Sequence, residues 1–245
     1  MTRPLVWGTI NYNMSVGNKH LPKHVAIIMD GNRRWAKNRH LPSVFGHKKG
    51  YEVFKEAGNW CLARGIKYLT VYAFSTENWQ RSKKEVSYLF SLLQFALEKE
   101  IDDLNKKGVR FQVAGRINEL PAKLQAAIKK AIDLTKHNAK AVFTLAVNYG
   151  GRAEITDAVE ALLEKYPRVK KITEKMLGEF LYNPAVPSPD LIIRTSGEQR
   201  LSGFLLWQSA YSELYFTPKL WPDFSENDLD AALEEYANRK RRYGR

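Results

Sequence analysis

The feature that most constrains this chain is an alternation. Short, almost wholly apolar runs, each closed by a polar segment carrying glycine or arginine, are separated by stretches with helical spacing. His24–Met29 runs into Asp30-Gly31-Asn32, Tyr68–Phe74 into Ser75-Thr76-Glu77-Asn78, and Val109–Val113 into Gly115. Ala141–Val147 runs into Asn148-Tyr149-Gly150-Gly151, and Leu191–Arg194 into Thr195-Ser196-Gly197. Runs this short and apolar read as strands buried on both faces, with turns after them. Between them, Tyr51–Arg64, Lys84–Lys107, Leu120–His137, Arg152–Lys165 and Thr173–Leu181 have helical spacing, with stops at Gly65 and Gly108. Leu214–Phe216 reads as a last short strand, and Ser225 as the cap of a final helix. Strands alternating with helices predict an α/β fold, a single domain with a central, mostly parallel sheet covered by helices. The 245 residues fit one such domain over 23–245, preceded by an irregular arm over 1–22.

An open parallel sheet places its ligand beyond the carboxyl ends of its strands. Those ends carry Arg33, Arg34 and Arg194, with Arg200 close behind. The guanidinium fork matches phosphate oxygens two at a time, and neighbouring glycines let backbone N–H groups approach an anion. A phosphate-bearing ligand is the better reading of these arginines; the plainer one is a solvated basic surface. The charge balance agrees: 39 Lys and Arg against 26 Asp and Glu give +13, which implies nucleic acid, an acidic membrane surface or a phosphorylated substrate. No lysine-bearing phosphate loop and no G-x-G-x-x-G follows a strand, which disfavours ATP and dinucleotides. The basic residues are spread along the chain without a helix-turn-helix, zinc-finger or RNP pattern, which disfavours nucleic acid.

Asp30, a carboxylate among these arginines, suits Mg²⁺, which prefers one or two carboxylates plus substrate phosphates. Taken alone, an Asp-Gly pair is more often a turn. Glu213 is a second candidate because it sits in the apolar and aromatic stretch Ala210–Phe216. His47 has a phosphate-donor reading and a structural one. The single cysteine, Cys61, falls in an apolar helical pattern and reads as a core residue, so neither disulfides nor a cysteine-based zinc cluster is available. Residues 1–20 hold several asparagines and no apolar leader-like run, and no run approaches the roughly 20 residues that span a bilayer. A cytoplasmic protein is expected. The Lys84–Lys107 helix is apolar over more than half its circumference, so it needs a second apolar partner besides the sheet: core, a dimer interface or a lipid-chain tunnel.

Taken together, ordered blocks of this chain resemble the cis-prenyltransferase family, close to undecaprenyl diphosphate synthase. They are His24–Ala36 with Asp30-Gly31-Asn32-Arg33-Arg34-Trp35, then Gly46-His47, then Tyr72–Trp79, then Asn148–Arg152, then Arg194–Ser202 and Phe204–Gln208 through Glu213–Tyr215. The resemblance implies a homodimer with a hydrophobic tunnel beside the sheet and a catalytic domain over 23–245. It implies condensation of isopentenyl diphosphate onto an allylic diphosphate such as farnesyl diphosphate, with Mg²⁺ as cofactor. Alternatives are a short-chain or dolichol-type enzyme, or a non-catalytic partner subunit. Asp30 and Asn78 would be catalytic. Asp30 and Glu213, the latter from the partner subunit, would bind the metal. Gly31, Asn32, Arg33, Arg34, Trp35 and His47 would bind the allylic diphosphate. Ser75, Thr76, Glu77, Trp79 and Arg81 would line the reacting end. Arg194, Arg200, Leu201 and Ser202 would bind isopentenyl diphosphate. The Asp-Asp-x-x-Asp motif of trans-prenyltransferases is absent: Asp102-Asp103 is followed by Leu104, Asn105 and Lys106.

The family pattern also implies an arginine where this chain has Ser43, so that either Arg33 or Arg39 compensates or allylic diphosphate binding is weaker. It implies a tunnel floor near Ala141, with Leu93, Phe95 and Leu97 as bulky neighbours, and a long-chain product. The basic tail Arg239-Lys240-Arg241-Arg242 and the basic surface predict weak association with anionic membranes.

Overall fold

The protein's structure, a computed structural model, describes residues 21–239. The expected arm over 1–22 therefore falls almost wholly outside the described residues, as does the basic tail beyond Arg239. Six strands form one sheet: β1 (His24–Ile28), β2 (Tyr68–Ser75), β3 (Val109–Ala114), β4 (Ala141–Tyr149), β5 (Leu191–Arg194) and β6 (Glu213–Phe216). Their order is β3-β4-β2-β1-β5-β6, and every pairing is parallel. The expectation of a mostly parallel sheet thus resolves as an entirely parallel one.

The helices are α1 (Asn32–Lys37), α2 (Ser43–Ala63), α3 (Lys83–Lys106), α4 (Ala122–Thr135), α5 (Gly151–Lys165), α6 (Glu174–Gly178) and α7 (Glu226–Asn238). Two starts differ from the sequence reading. The turn expected at Asp30-Gly31-Asn32 passes directly into α1, and α2 begins at Ser43 rather than Tyr51. The glycines of Phe45–Gly50 hid that start. Gly46 has no Cβ because the Asn32 carbonyl oxygen would stand 2.0 Å from it, so this glycine seats α2 against α1 instead of breaking the helix.

Strand alternation builds two cores. Val25 and Ile27 face one that also contains Val53, Leu89, Leu124 and Leu229 from α2, α3, α4 and α7. Ala26 and Ile28 face the other, with Tyr149, Ile192 and Phe204. With both faces covered, the strands are apolar throughout, which is why they were visible as unbroken runs. The chain leaves β1 on one side to reach β2 and returns on its other side as β5. Carboxyl ends that part in this way leave a crevice beside β1.

Candidate active site

A cleft of about 1140 Å³ occupies that crevice. Asp30, two residues past β1, is at its centre. Its carboxylate accepts from Arg194 Nη2 at 3.0 Å, and Arg34 Nη2 lies 3.6 Å away. Burial alone would raise the Asp30 carboxyl, but hydrogen bonds from Arg194 and Ser196 and the charges of Arg194 and Arg34 hold it below the usual carboxylate range. It is an anion at neutral pH. Gly31 follows at φ 109°, a conformation that disfavours a side chain, and a Cβ there would meet Leu220 at 2.9 Å.

Arg194 closes β5 and is 4% exposed. It also donates to Ser202 Oγ at 2.9 Å and to the Arg200 carbonyl. Its Nε has no hydrogen-bond partner, so a buried donor of this cleft-lining residue is left over for an anion. Arg34 donates to Ser196 O at 3.1 Å and Ser196 Oγ at 2.5 Å. Ser196 and Ser202 hold left-handed backbone, φ 84° and 48°, which costs strain and persists only where the surroundings enforce it.

A second cluster centres on Glu85 of α3, which does not itself line the cleft but holds the cleft residues Arg33, His47 and Arg81. Glu85 accepts from Arg81 Nη1 at 3.2 Å, stands 3.3 Å from His47 Nε2 and 3.8 Å from Arg33 Nε. Burial lowers the His47 pKa, with Glu85 opposing and Arg81 and Arg33 adding to the effect, so the imidazole is neutral and its Nε2 faces Glu85. Asn78 lies in a 3₁₀ turn after β2, where its Oδ1 accepts from Ser75 N at 3.2 Å. That bond fixes the amide at the strand end.

The cleft thus gathers Asp30, Gly31, Asn32, Arg33, Arg34, His47, Ser75, Glu77, Asn78, Arg81, Arg194 and Ser202 of the predicted residues. It does not gather Trp35, Thr76, Trp79, Arg200 or Leu201. Trp35 donates from Nε1 to Asp223 at 2.7 Å, and Arg39 stacks over its ring at 4.2 Å while also bonding Asp223. Arg39 engages Asp223 and is not among the residues lining the cleft, whereas Arg33 is. Trp79 donates to Asn148 Oδ1 at 2.7 Å, and Leu201 packs on the second core. Arg200 pairs with Glu198 at 2.5 Å and contributes its carbonyl, not its guanidinium, to Arg194. Glu213 begins β6 in register with Leu191, at the amino end of the sheet, and pairs with Arg239 at 2.7 Å. Within one chain it cannot share a metal with Asp30. Among the described residues no cluster of three metal-ligating side chains occurs.

Sequence reasoning missed Glu85, Lys37 and His40, all at this end of the sheet. Glu85 was hidden as a helix-capping acid, since its backbone N–H donates to Ser82 Oγ at 3.3 Å. It also missed Glu154, which is 1% exposed and accepts from Tyr149 Oη at 2.5 Å, Tyr182 N at 3.2 Å and Gln208 Nε2 at 3.0 Å. These bonds pin the segment after Ser202 to α5. An acid one turn into a helix gives no sign of its burial.

Beyond Met29, Ala73 and Leu89, the cleft continues into an apolar space of about 90 Å³ between α2 and α3, lined by Phe54, Leu92, Leu93 and Leu145. Phe54 also borders a further space of about 90 Å³ lined by Leu62, Leu104, Ala141 and Phe143. The apolar surplus of α3 is spent on these two spaces as well as on core. Of the bulky candidates, Leu93 lines the first space, Leu97 is buried in the core, and Phe95 is 49% exposed on the outer face.

A polar, arginine-lined cleft bordered by apolar spaces between α2 and α3 is matched by what the comparisons find. The sequence model of the family described as "Putative undecaprenyl diphosphate synthase" matches residues 28–244. The chain belongs to that family. An isoprenyl transferase of Thermotoga maritima is 51% identical over 226 residues, covering 91% of this chain and 97% of that one. One from Fusobacterium nucleatum is 51% identical over 92% of this chain and 97% of its own. Lavandulyl diphosphate synthase from Lavandula x intermedia, solved in complex with dimethylallyl diphosphate, superposes with a TM-score of 0.88 at 40% identity, over 92% of this chain and 99% of that one. A probable undecaprenyl diphosphate synthase from Campylobacter jejuni gives 0.78 at 32% identity, over 92% and 99%. This member of the undecaprenyl diphosphate synthase family is therefore a prenyl-transferring enzyme.

Proposed function

We propose that the enzyme condenses isopentenyl diphosphate repeatedly onto an allylic diphosphate such as farnesyl diphosphate, giving a long-chain cis-polyprenyl diphosphate of the undecaprenyl class. The observation that carries this reading is that the cleft of Asp30, Arg34 and Arg194 borders apolar spaces between α2 and α3, which the reading joins into one channel for a hydrocarbon tail. A ligand with a charged head and a growing hydrocarbon tail fits both halves. The structural neighbour that holds dimethylallyl diphosphate supports an allylic diphosphate as substrate.

In the reaction the C1–O bond of the allylic diphosphate breaks, the isopentenyl double bond supplies electrons to C1, and a proton leaves the isopentenyl C2 to form the new double bond. Arg34 holds oxygens of the allylic diphosphate and offsets the charge that develops on that leaving group, while Arg194 holds the isopentenyl diphosphate. Asn78 is too weak a base to take the proton. Held by Ser75 N, it orients the isopentenyl group, and a diphosphate oxygen accepts the proton. Each cycle pushes the tail along the channel, where burial favours it by about 0.8 kcal/mol per CH₂.

Asp30 fits Mg²⁺, because a single ionised carboxylate beside a diphosphate cradle matches a cation that takes one or two carboxylates and completes its shell with phosphates and water. When bound, the ion would neutralise diphosphate charge. Asp30 would hold it, and a homodimer is what would bring the partner subunit's Glu213 near. The half-buried Trp207 and the 85% exposed Tyr211, beside Glu213, support an interface on that face.

Incubation of the enzyme with farnesyl diphosphate, labelled isopentenyl diphosphate and Mg²⁺, followed by product chromatography, tests the reading. Long-chain labelled product that disappears in EDTA is expected. No incorporation, or a product ending after one addition, rejects it.

A further inference from the structure

The cleft mouth carries an apolar tip in a basic field. Leu41 and Phe45, one turn apart where α2 begins, are 40% and 50% exposed. Lys37 and His40 precede them, and Lys48 follows one turn on, all exposed. The start of α3 lies alongside, because Tyr88 Oη donates to the Val44 carbonyl at 3.3 Å and His47 meets Glu85. It adds the exposed Lys83 and Lys84. Most other cations nearby are matched: Arg39 by Asp223, Lys49 by Glu52, Arg81 by Glu85. Lys37, Lys48, Lys83 and Lys84 have no acidic partner within ion-pair distance among the described residues. The lysines thus form an uncompensated field around two large apolar side chains, at the opening of the cleft that Leu41, Lys37 and His40 themselves line.

We propose that this corner of α1, α2 and α3 docks on an anionic phospholipid surface. Charge complementarity selects the partner: unpaired lysines on flexible stems gain from a negative headgroup layer, while Leu41 and Phe45 enter the acyl boundary. A nucleic-acid strand would use the lysines but leave the apolar tip in water, and a second copy of this chain would meet like charge. Docking here sets the cleft mouth against the bilayer, so a ligand with a charged head and an apolar tail passes between cleft and membrane without crossing bulk water. The proposal locates on this corner the membrane attraction that the sequence spread over its basic tail and surface, and it does not depend on which prenyl substrate the enzyme takes.

Vesicle sedimentation tests it, with phosphatidylglycerol–phosphatidylcholine vesicles against phosphatidylcholine alone. The full chain should bind the anionic vesicles selectively, and added salt should release it. Phe45→Ser with Lys48→Glu and Lys84→Glu should weaken that binding by about tenfold or more. Arg241→Ser with Arg242→Ser should retain most of it. A circular dichroism melt checks that the triple variant is folded, and Phe45→Ser alone, which leaves every charge in place, should still bind more weakly than the parent. Equal binding to both vesicle types, or loss with the tail variant and not with the corner variants, overturns the proposal. So does a corner variant that binds vesicles normally but changes oligomeric state in gel filtration.

Discussion

Asp30 couples the chemistry of the site to its integrity. Its carboxylate balances Arg194, a guanidinium almost without solvent, and Arg34 stands on its other side. Asp30→Asn should keep the fold and lower turnover by about 100-fold or more, the scale on which lost electrostatic preorganisation is felt. Asp30→Ala should also lower stability by about 1–3 kcal/mol, since Arg194 then loses a charge-assisted partner while still buried. Turnover measured beside a melting curve separates the two effects, and near-normal activity in either variant sinks the assignment. Cys61 is the contrasting residue. Burial pushes its thiol up to about 12, with Arg64 opposing, in an apolar wall of the far channel space. The native protein should resist iodoacetamide at neutral pH and become labelled on unfolding, as read by mass.

At the scale of elements, the pair α2 and α3 defines the channel. Its outer side is closed by polar bonds one turn apart along α2: Tyr51 Oη to Glu100 at 2.6 Å, Lys55 to Glu100 at 3.1 Å, and Lys107 to Asn59 Oδ1 at 2.7 Å. Arg64 then ties the end of α2 to Asp230 of α7 at 2.6 Å. Between these bonds and the sheet, Ala141 opens β4 at 8% exposure and borders the far space of about 90 Å³. Ala141→Phe should therefore shorten the product while leaving the first condensation nearly intact, because the Asp30 cleft lies at the other end of the strands. If the space instead belongs to core, the larger ring overpacks it at a cost of about 1–3 kcal/mol. Unchanged product length with a lowered melting temperature would place the floor elsewhere.

For the whole molecule, acid sensitivity follows from two buried histidines. Burial lowers the pKa of His24, which sits between the Pro187 carbonyl at 2.6 Å and Thr70 Oγ1 at 2.8 Å, and likewise that of His47. The folded state resists protonation there, while the unfolded chain takes up protons near the usual pH of about 6.5. Stability should be flat above that pH and fall as pH drops below it, because the unfolded state binds more protons. Urea titrations across pH should show this slope, and the variant with His24→Gln and His47→Gln should flatten it. An equal slope in both proteins would assign the sensitivity to other groups. No helix among the described residues is long and apolar enough to cross a membrane.

The sequence by itself determined the strands, their parallel order of direction and the polar rim that follows them, because a strand buried on both faces is apolar at every position and its break is local chemistry. It also carried the family, since motifs such as Asp30–Arg34 and Arg194–Ser202 are contiguous. Only the tertiary structure decided which of the rim's side chains meet. Trp35 and Arg39 turn to Asp223, Arg200 offers its carbonyl, Glu85 meets His47, and Glu213 lies at the other end of the sheet. Those outcomes depend on partners 6 to 188 residues away in the chain, as in the bonds of Arg194 to the Arg200 carbonyl and of Trp35 to Asp223. Side-chain direction follows from the hydrogen-bonding or charged partner nearest in space, and spacing along the sequence does not encode that distance.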